Sequence, residues 1–175
     1  GVINTMSNSG KTASYIFFKS KNESIEILEF LSKSISGDSL FIEQYRGFTL
    51  SQIDIPFLFK KMYGYFFKAV KNNYYTWIDS YLIVSDTPAN LKAFINYYLS
   101  EKTLNNHPNF LTFSDKIATK CNFFYYSNPS SGNWNSVIKS SLDSIVLLEN
   151  WTNINGFVYQ LSSKDNLFYN NVVLH

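Results

Sequence analysis

At 175 residues and a formal net charge of +2, the chain is long enough for one domain, or at most two small ones packed closely, and too nearly neutral to favour nucleic acid as a partner. Charged residues make up only 16% of it, whereas aromatic residues reach 18% and the polar remainder is mostly Ser and Asn. Such a balance is more typical of secreted and cell-surface proteins than of cytosolic enzymes, and the single cysteine, Cys121, excludes an internal disulfide. We expect a single domain over residues 1–175.

The first notable motif lies near the start, where residues Ser7 to Ser14 read SNSGKTAS and contain the closing Gly-Lys-Thr of a phosphate-binding loop. Such a loop needs another glycine five residues earlier, where this chain has Thr5, and it follows a strand and opens a helix. Here the triplet is followed by the short apolar run Tyr15 to Phe18. The stretch is therefore predicted to be a polar turn that leads into a strand, and no nucleotide is expected to bind there.

Apolar residues recur at helical spacing in four segments of the chain. Helices are predicted near 23–36, 55–70, 88–100 and 134–149. Side-chain oxygens precede most of these segments, and Pro88 suits the first turn of the third helix. In the first helix, one stripe is predicted to face the core, and it consists of Ile25, Leu28, Leu31 or Ser32, and Ile35, widened by Ile27.

Strand pairs separated by short polar turns lie between these helices. The predicted pairs are 40–45 with 48–53, 74–78 with 81–84, and 156–161 with 167–174, with a further strand at 123–126. Hairpins pair their strands antiparallel, and helices must cover a sheet face. The predicted fold class is therefore α+β, with an antiparallel sheet built from repeated helix–strand–turn–strand units and helices packed mainly on one face.

The stretch YYTWIDSYLIVSDTPANLKAFINYYLSEKTLNNHPNF, residues 74–110, combines a strand pair, a polar cap, a helix and a Pro-containing segment. The positions that carry the pattern are Ser85, Asp86, Thr87, Leu91, Lys92, Phe94, Ile95, Lys102, Thr103, Leu104, Pro108 and Phe110. Together with the tail GFVYQLSSKDNLFYNNVVL, this pattern resembles an uncharacterised family of Bacteroidetes surface and periplasmic proteins. The resemblance implies an N-terminal export or anchoring segment outside the present sequence. It implies no catalytic residue, because the matching positions are caps and core.

Candidate catalytic and metal-binding residues are few. His107 and His175 are far apart in sequence, and neither has a second histidine or a cysteine beside it, as a metal site requires. Cys121 precedes an aromatic strand and is predicted to be a buried, unreactive thiol. The aspartates stand mostly at turns and helix ends, and Glu43 is interpreted as a solvated residue on a sheet face. We expect no catalytic residue, no metal site and no cofactor.

The three tryptophans, Trp77, Trp134 and Trp151, are candidate stacking residues for a sugar ligand, because an indole presents an apolar body with a polar tip. The simpler interpretation places them in the core and on the sheet faces of an aromatic-rich protein. Exposure of Trp77 together with Trp151 on one open face would favour the sugar-binding interpretation.

The segment 55–70 is predicted to form a helix that is apolar on nearly every side, with three lysines as its only charges. We expect this helix to be buried, with Gly64 allowing a neighbouring element to approach closely. The alternative is an exposed docking helix in which Phe59, Met62 and Phe66 contact a partner.

These observations favour a non-catalytic extracytoplasmic domain, in the periplasm or at the cell surface, with a structural or protein–protein interaction role. The expected partner is the remainder of its own full-length protein or another surface protein, with no nucleic acid and with membrane contact only through an N-terminal anchor. A module that binds a glycan or another small ligand is the alternative. An enzyme completed by regions outside this sequence is a third interpretation.

Overall fold

The computed structural model describes residues 1–6, 12–19, 23–37, 41–128, 156–165 and 167–174. The chain forms two compact units, Gly1–Ser100 and Glu101–His175. Within the described residues there are nine strands and four α-helices: β1 (Val2–Met6), β2 (Thr12–Lys19), α1 (Glu23–Ser36), β3 (Ile42–Tyr45), β4 (Phe48–Ile53), α2 (Leu58–Tyr63), β5 (Asn73–Ile78), β6 (Tyr81–Ser85), α3 (Pro88–Leu99), α4 (Pro108–Ser114), β7 (Phe123–Ser127), β8 (Phe157–Lys164) and β9 (Leu167–Leu174). The α+β fold class predicted from the sequence is confirmed.

The first unit is built on a six-stranded antiparallel sheet with the strand order β1-β2-β6-β5-β4-β3. The hairpin of β3 and β4 turns at Arg46 (φ 49°) and Gly47 (φ 86°), and this pair of positive φ angles matches the twist of the flanking strands. The predicted hairpins at 40–53 and 74–84 are confirmed. Strand β1 was not predicted. Thr12 begins the strand β2, whereas in a phosphate-binding loop the Gly-Lys-Thr triplet would open a helix.

Both faces of this sheet are covered, with two helices on one face and one helix on the other. Helices α1 and α2 lie together over one buried apolar cluster, and α3 lies on the other face over a second cluster. The reason is visible in β6, where the consecutive residues Leu82, Ile83 and Val84 are all buried. Successive side chains of a strand point to opposite faces, so an unbroken apolar run requires cover on both sides.

Helix α3 is fixed by its cap and by its apolar face. Thr87 is the N-cap, and its Oγ1 accepts a hydrogen bond from the backbone N–H of Asn90 at 3.2 Å. Leu91 and Ile95 are fully buried against the sheet. An ion pair of 2.5 Å joins Lys92 of α3 to Glu43 on β3, and the partial exposure of Glu43 agrees with its interpretation as a solvated residue on a sheet face.

The second unit contains a three-stranded antiparallel sheet with the order β7-β8-β9 and the helix α4. Phe113 of α4 is fully buried, and a side chain at Gly156 would come within 2.5 Å of its ring, so this position requires glycine. The buried Gln160 of β8 accepts a hydrogen bond from the Ala118 N–H at 2.9 Å and donates one to the Ala118 carbonyl at 2.8 Å. The hairpin of β8 and β9 was predicted, α4 was not, and the helix predicted near 134–149 lies outside the described residues.

Candidate docking surface

The segment 57–71, which we call the aromatic–lysine segment, replaces the helix predicted over 55–70. Helix α2 spans only six of its residues, because Phe57 adopts a left-handed conformation before it and Gly64 leaves helical geometry after it (φ 93°). A short 3₁₀ turn follows at Tyr65–Phe67. The predicted role of Gly64 was wrong, because no described atom outside the adjoining residues lies within 4 Å of the place where its Cβ would be. Glycine is needed there for its positive φ.

Both ends of the aromatic–lysine segment are tied to the first unit. The Phe57 N–H donates a hydrogen bond to the Lys71 carbonyl at 2.7 Å, which closes the segment into a loop. Asp86, just beyond β6, accepts hydrogen bonds from the backbone N–H groups of Lys71 and Asn72 at 2.7 and 2.8 Å. These contacts fix where the segment leaves and rejoins the sheet.

One side of the segment belongs to the core. Phe59 is only 4% exposed and stacks on Phe18 of β2, with ring centroids 5.2 Å apart. Phe67 stacks on the same ring at 5.5 Å, and Val70 is fully buried. Of the three predicted docking residues, Phe59 is therefore a core residue.

The other side of the segment is exposed and apolar. Met62 is 58% exposed and Phe66 is 59% exposed, and Tyr63 and Tyr65 are also largely in solvent. The expectation that Phe66 is buried was wrong, because the break at Gly64 turns the second half of the segment away from the direction that a continuous helix would take. The alternative, in which Met62 and Phe66 are available for contact, agrees with these exposures.

Lysines frame this exposed apolar side. Lys68 Nζ lies 4.0 Å from the centroid of the Tyr65 ring and donates a hydrogen bond to its hydroxyl at 2.7 Å. Because this hydrogen bond and the positive charge of Lys68 favour the phenolate, the pKa of Tyr65 is held below its ordinary value. Lys60 Nζ lies 5.7 Å from the same ring. The segment carries four lysines and no carboxylate, so it presents aromatic rings within a positively charged surface.

Helix α1 exposes a second apolar strip on the same face of the sheet. Among residues 26–35 of α1, whose side chains the structure describes, only Leu28 and Ser32 face inward. Ser32 Oγ and Tyr75 OH are 3.0 Å apart. The exposed residues recur at helical spacing and form what we call the α1 stripe: Ile27, Phe30, Leu31 and Ile35. Phe30 is 70% exposed. The prediction that Ile27, Leu31 and Ile35 face the core was therefore wrong, whereas the alternative with Ser32 in the core-facing row agrees with its burial.

Phe30 was not singled out from the sequence, and Ile27 was assigned to the core-facing stripe, although the sequence contained the signal for a surface site. A helix that rests on a sheet through one row of contacts needs a single apolar stripe. Helix α1 has two adjacent rows of residues at helical spacing: one runs through Leu28 and Ser32, and the other is the α1 stripe. The second stripe is surplus to the core, and such a surplus indicates an interaction surface.

Of the three tryptophans, Trp77 lies among the described residues. Trp77 is half-buried on β5 and packs against the core cluster beneath α1 and α2. Its Nε1 is buried and has no hydrogen-bond partner among the described residues. Trp134 and Trp151 lie outside the described residues.

The residues considered for chemistry are placed as follows. Cys121 is exposed, so the prediction of a buried thiol was wrong, because it lies two residues before the start of β7 and not within the strand. His107 stands directly before α4 and makes no side-chain cap to that helix. In the part of the chain that the structure describes, no three His, Cys, Asp or Glu residues are grouped as a metal ion would require. The helices described there include none that is both long and apolar enough to cross a membrane.

Comparison of the chain with known protein families, with curated proteins and with solved structures finds no match. The resemblance to a Bacteroidetes surface family therefore stays a prediction. Function has to be argued from the surface of the first unit itself.

Proposed function

We propose that this chain is a non-catalytic protein-interaction module that docks through the sheet face carrying α1 and α2. The observation that supports this proposal is the exposure of Phe30 and Phe66 on two elements of that one face. Single exposed apolar residues are common on soluble proteins, whereas several on neighbouring elements of one face mark an interaction site.

The composition of the exposed surface favours a protein partner over a sugar. Aromatic residues and methionine are enriched where proteins meet, and large rings buried at the centre of an interface supply most of its binding energy. A sugar-binding site needs an open ring face with polar groups converging beside it. Trp77, the one candidate stacking residue that is described, is packed against the core instead.

Site-specific photo-crosslinking tests this proposal. A benzophenone side chain is placed at Phe66 or at Phe30 in cells that express the gene, and at Tyr97 as the control. Tyr97 is 52% exposed but lies on α3, which covers the opposite face of the sheet. We expect a discrete protein adduct from positions 66 and 30 and none from position 97. The absence of an adduct from 66 and 30, or the same adducts from all three positions, contradicts the proposal.

We further propose a location outside the cytoplasm, which the low charge and the abundance of Ser and Asn support. The exposed Cys121 provides the probe, since it is the only cysteine of the chain. We expect a membrane-impermeant maleimide to label it in intact cells. Labelling only after the cells are lysed contradicts this location.

A further inference from the structure

We propose that the partner is a second copy of this chain, with the α1 stripe of each copy seated on the aromatic–lysine segment of the other. This inference rests on the docking face of the proposed function and names its occupant. It follows from the charges that surround the two exposed apolar strips.

The two strips carry opposite charge. Helix α1 contains three glutamates and one lysine, and Glu26 and Glu29 are exposed. Glu26 is one helical turn before Phe30, so its carboxylate borders the α1 stripe. The aromatic–lysine segment holds four lysines and no acidic residue. Both strips therefore offer apolar area, and each carries the charge that complements the other.

The arrangement of the strips on one face allows the contact to close on itself. Leu28 of α1 and Phe59 of α2 pack against the same core cluster, so both strips lie on the same side of the six-stranded sheet. A two-fold rotation about an axis through that face brings α1 of each copy over the aromatic–lysine segment of the other. The contact then occurs twice, and a dimer forms without open-ended growth.

The acidic helix argues against an anionic membrane as the occupant. Aromatic rings among lysines are also found on proteins that bind anionic lipid surfaces. Here Glu26 and Glu29 lie on the same sheet face as the lysines, and they would be repelled by the lipid that the lysines attract. A surface of mixed charge is suited to a partner that also carries both charges, which a second copy does.

Sedimentation and light scattering on the purified chain test the inference. We expect a monomer–dimer equilibrium that weakens as salt is added, because exposed charge pairs are screened. Phe66→Ala and Phe30→Ala should each raise the dimer dissociation constant at least about tenfold, as loss of a central aromatic anchor does. Tyr97→Ala, the control of similar exposure on the opposite face, should leave the constant unchanged.

A charge exchange identifies the pairing itself. The triple variant Lys60→Glu/Lys61→Glu/Lys68→Glu leaves the segment with three glutamates and one lysine, and the double variant Glu26→Lys/Glu29→Lys leaves α1 with three lysines and one glutamate. Each variant should be monomeric, because like charges then meet at both contacts. Mixed in equal amounts, the two variants should form a heterodimer. In one variant both α1 and the aromatic–lysine segment are acidic, and in the other both are basic, so opposite charges meet at each of the two contacts. Recovery of the dimer also shows that both variants are folded.

Three results would overturn the inference. A wild-type chain that stays monomeric at about 100 μM has no self-association of useful strength. A monomeric chain that sediments with phosphatidylserine vesicles but not with phosphatidylcholine vesicles has a membrane as its occupant. A dimer that the charge exchange does not restore uses another surface. If the chain is monomeric but positions 66 and 30 still crosslink to a different protein in cells, the proposed function stands and only the second copy is rejected.

Discussion

Two phenylalanines of the aromatic–lysine segment, Phe59 and Phe66, provide a direct test of which side of that segment is core. They lie seven residues apart, two helical turns if the segment were one continuous helix, and would then share a face. In the structure Phe59 is 4% exposed and Phe66 is 59% exposed. The same truncation to alanine at the two positions should therefore have very different effects on stability.

The expected costs follow from the burial of each ring. Phe59 is enclosed and stacks on Phe18, so Phe59→Ala should cost about 3–5 kcal/mol of unfolding free energy, which is usual for a phenylalanine in a core. Less than half of the Phe66 side chain is removed from water, about 80 Å² of a ring that buries 150–250 Å² when enclosed. At about 25 cal/mol per Å² this is about 2 kcal/mol as an upper limit, because unfolded chains already bury some apolar surface. We expect Phe66→Ala to cost about 1 kcal/mol, since alanine retains part of that area.

Thermal unfolding followed by circular dichroism measures the difference. Phe59→Ala should lower the melting temperature by at least about 6 °C and Phe66→Ala by about 4 °C at most. The melts should be run at a protein concentration where the chain is monomeric, because dimer formation would add its own stabilisation. Equal losses at the two positions would show that residues 58–67 form one buried helix and would refute the assignment of Phe66 to a docking surface.

Three further predictions concern a thiol, a carboxylate and a phenol. Cys121, being exposed, should react with a thiol reagent in the native protein at a rate within about tenfold of that in urea, and a thiol labelled only after unfolding would contradict its placement. Asp86→Ala removes the acceptor of two backbone hydrogen bonds and should lower the unfolding free energy in urea by about 1–3 kcal/mol. Asp86→Asn should cost less, because an amide oxygen can still accept. Equal costs would show that those hydrogen bonds do not cause the loss of stability. Burial raises the pKa of Tyr15 above its ordinary value of 10.0. Above pH 10 the folded chain therefore keeps a proton that the unfolded chain releases. The contribution of Tyr15 to the unfolding free energy is complete below pH 10 and declines as the pH rises above it. Tyr15→Phe should make that alkaline decline shallower by up to about 1.4 kcal/mol per pH unit, and an unchanged slope would assign the decline to other groups.

The hairpins could be predicted from sequence because their signals are local. Arg46-Gly47 and Asp79-Ser80 each separate two runs rich in β-branched and aromatic residues, and the turn and both strands lie within about a dozen residues. Strand β1 has no comparable signal. Asn4 and Thr5 interrupt its apolar residues, and the strand is identified by its pairing with β2 (Val2 with Ile16, Met6 with Thr12).

The docking surface was only half predicted, since its geometry depends on two backbone conformations. Composition correctly singled out the segment near 55–70 as having more apolar residues than one helix face can bury. It could not indicate that Phe57 adopts φ 57°, because phenylalanine is rarely found in a left-handed conformation and the surrounding structure must impose it. With the break at Gly64, that conformation decides which rings reach the core.

The bounds of helix α1 were predicted from the sequence, but the face that it turns to the sheet was not. Helical periodicity reports that an apolar arc exists, whereas the width of the arc that a sheet covers depends on how the helix rests on it. The hydrogen bond between Ser32 and Tyr75 places a polar residue at the centre of the contact and leaves Phe30 outside it. A serine in the buried row of α1 and a phenylalanine in its exposed row reverse the usual order of burial. On both α1 and the aromatic–lysine segment, large apolar residues point outward, where a partner can bury them and the core of this chain cannot.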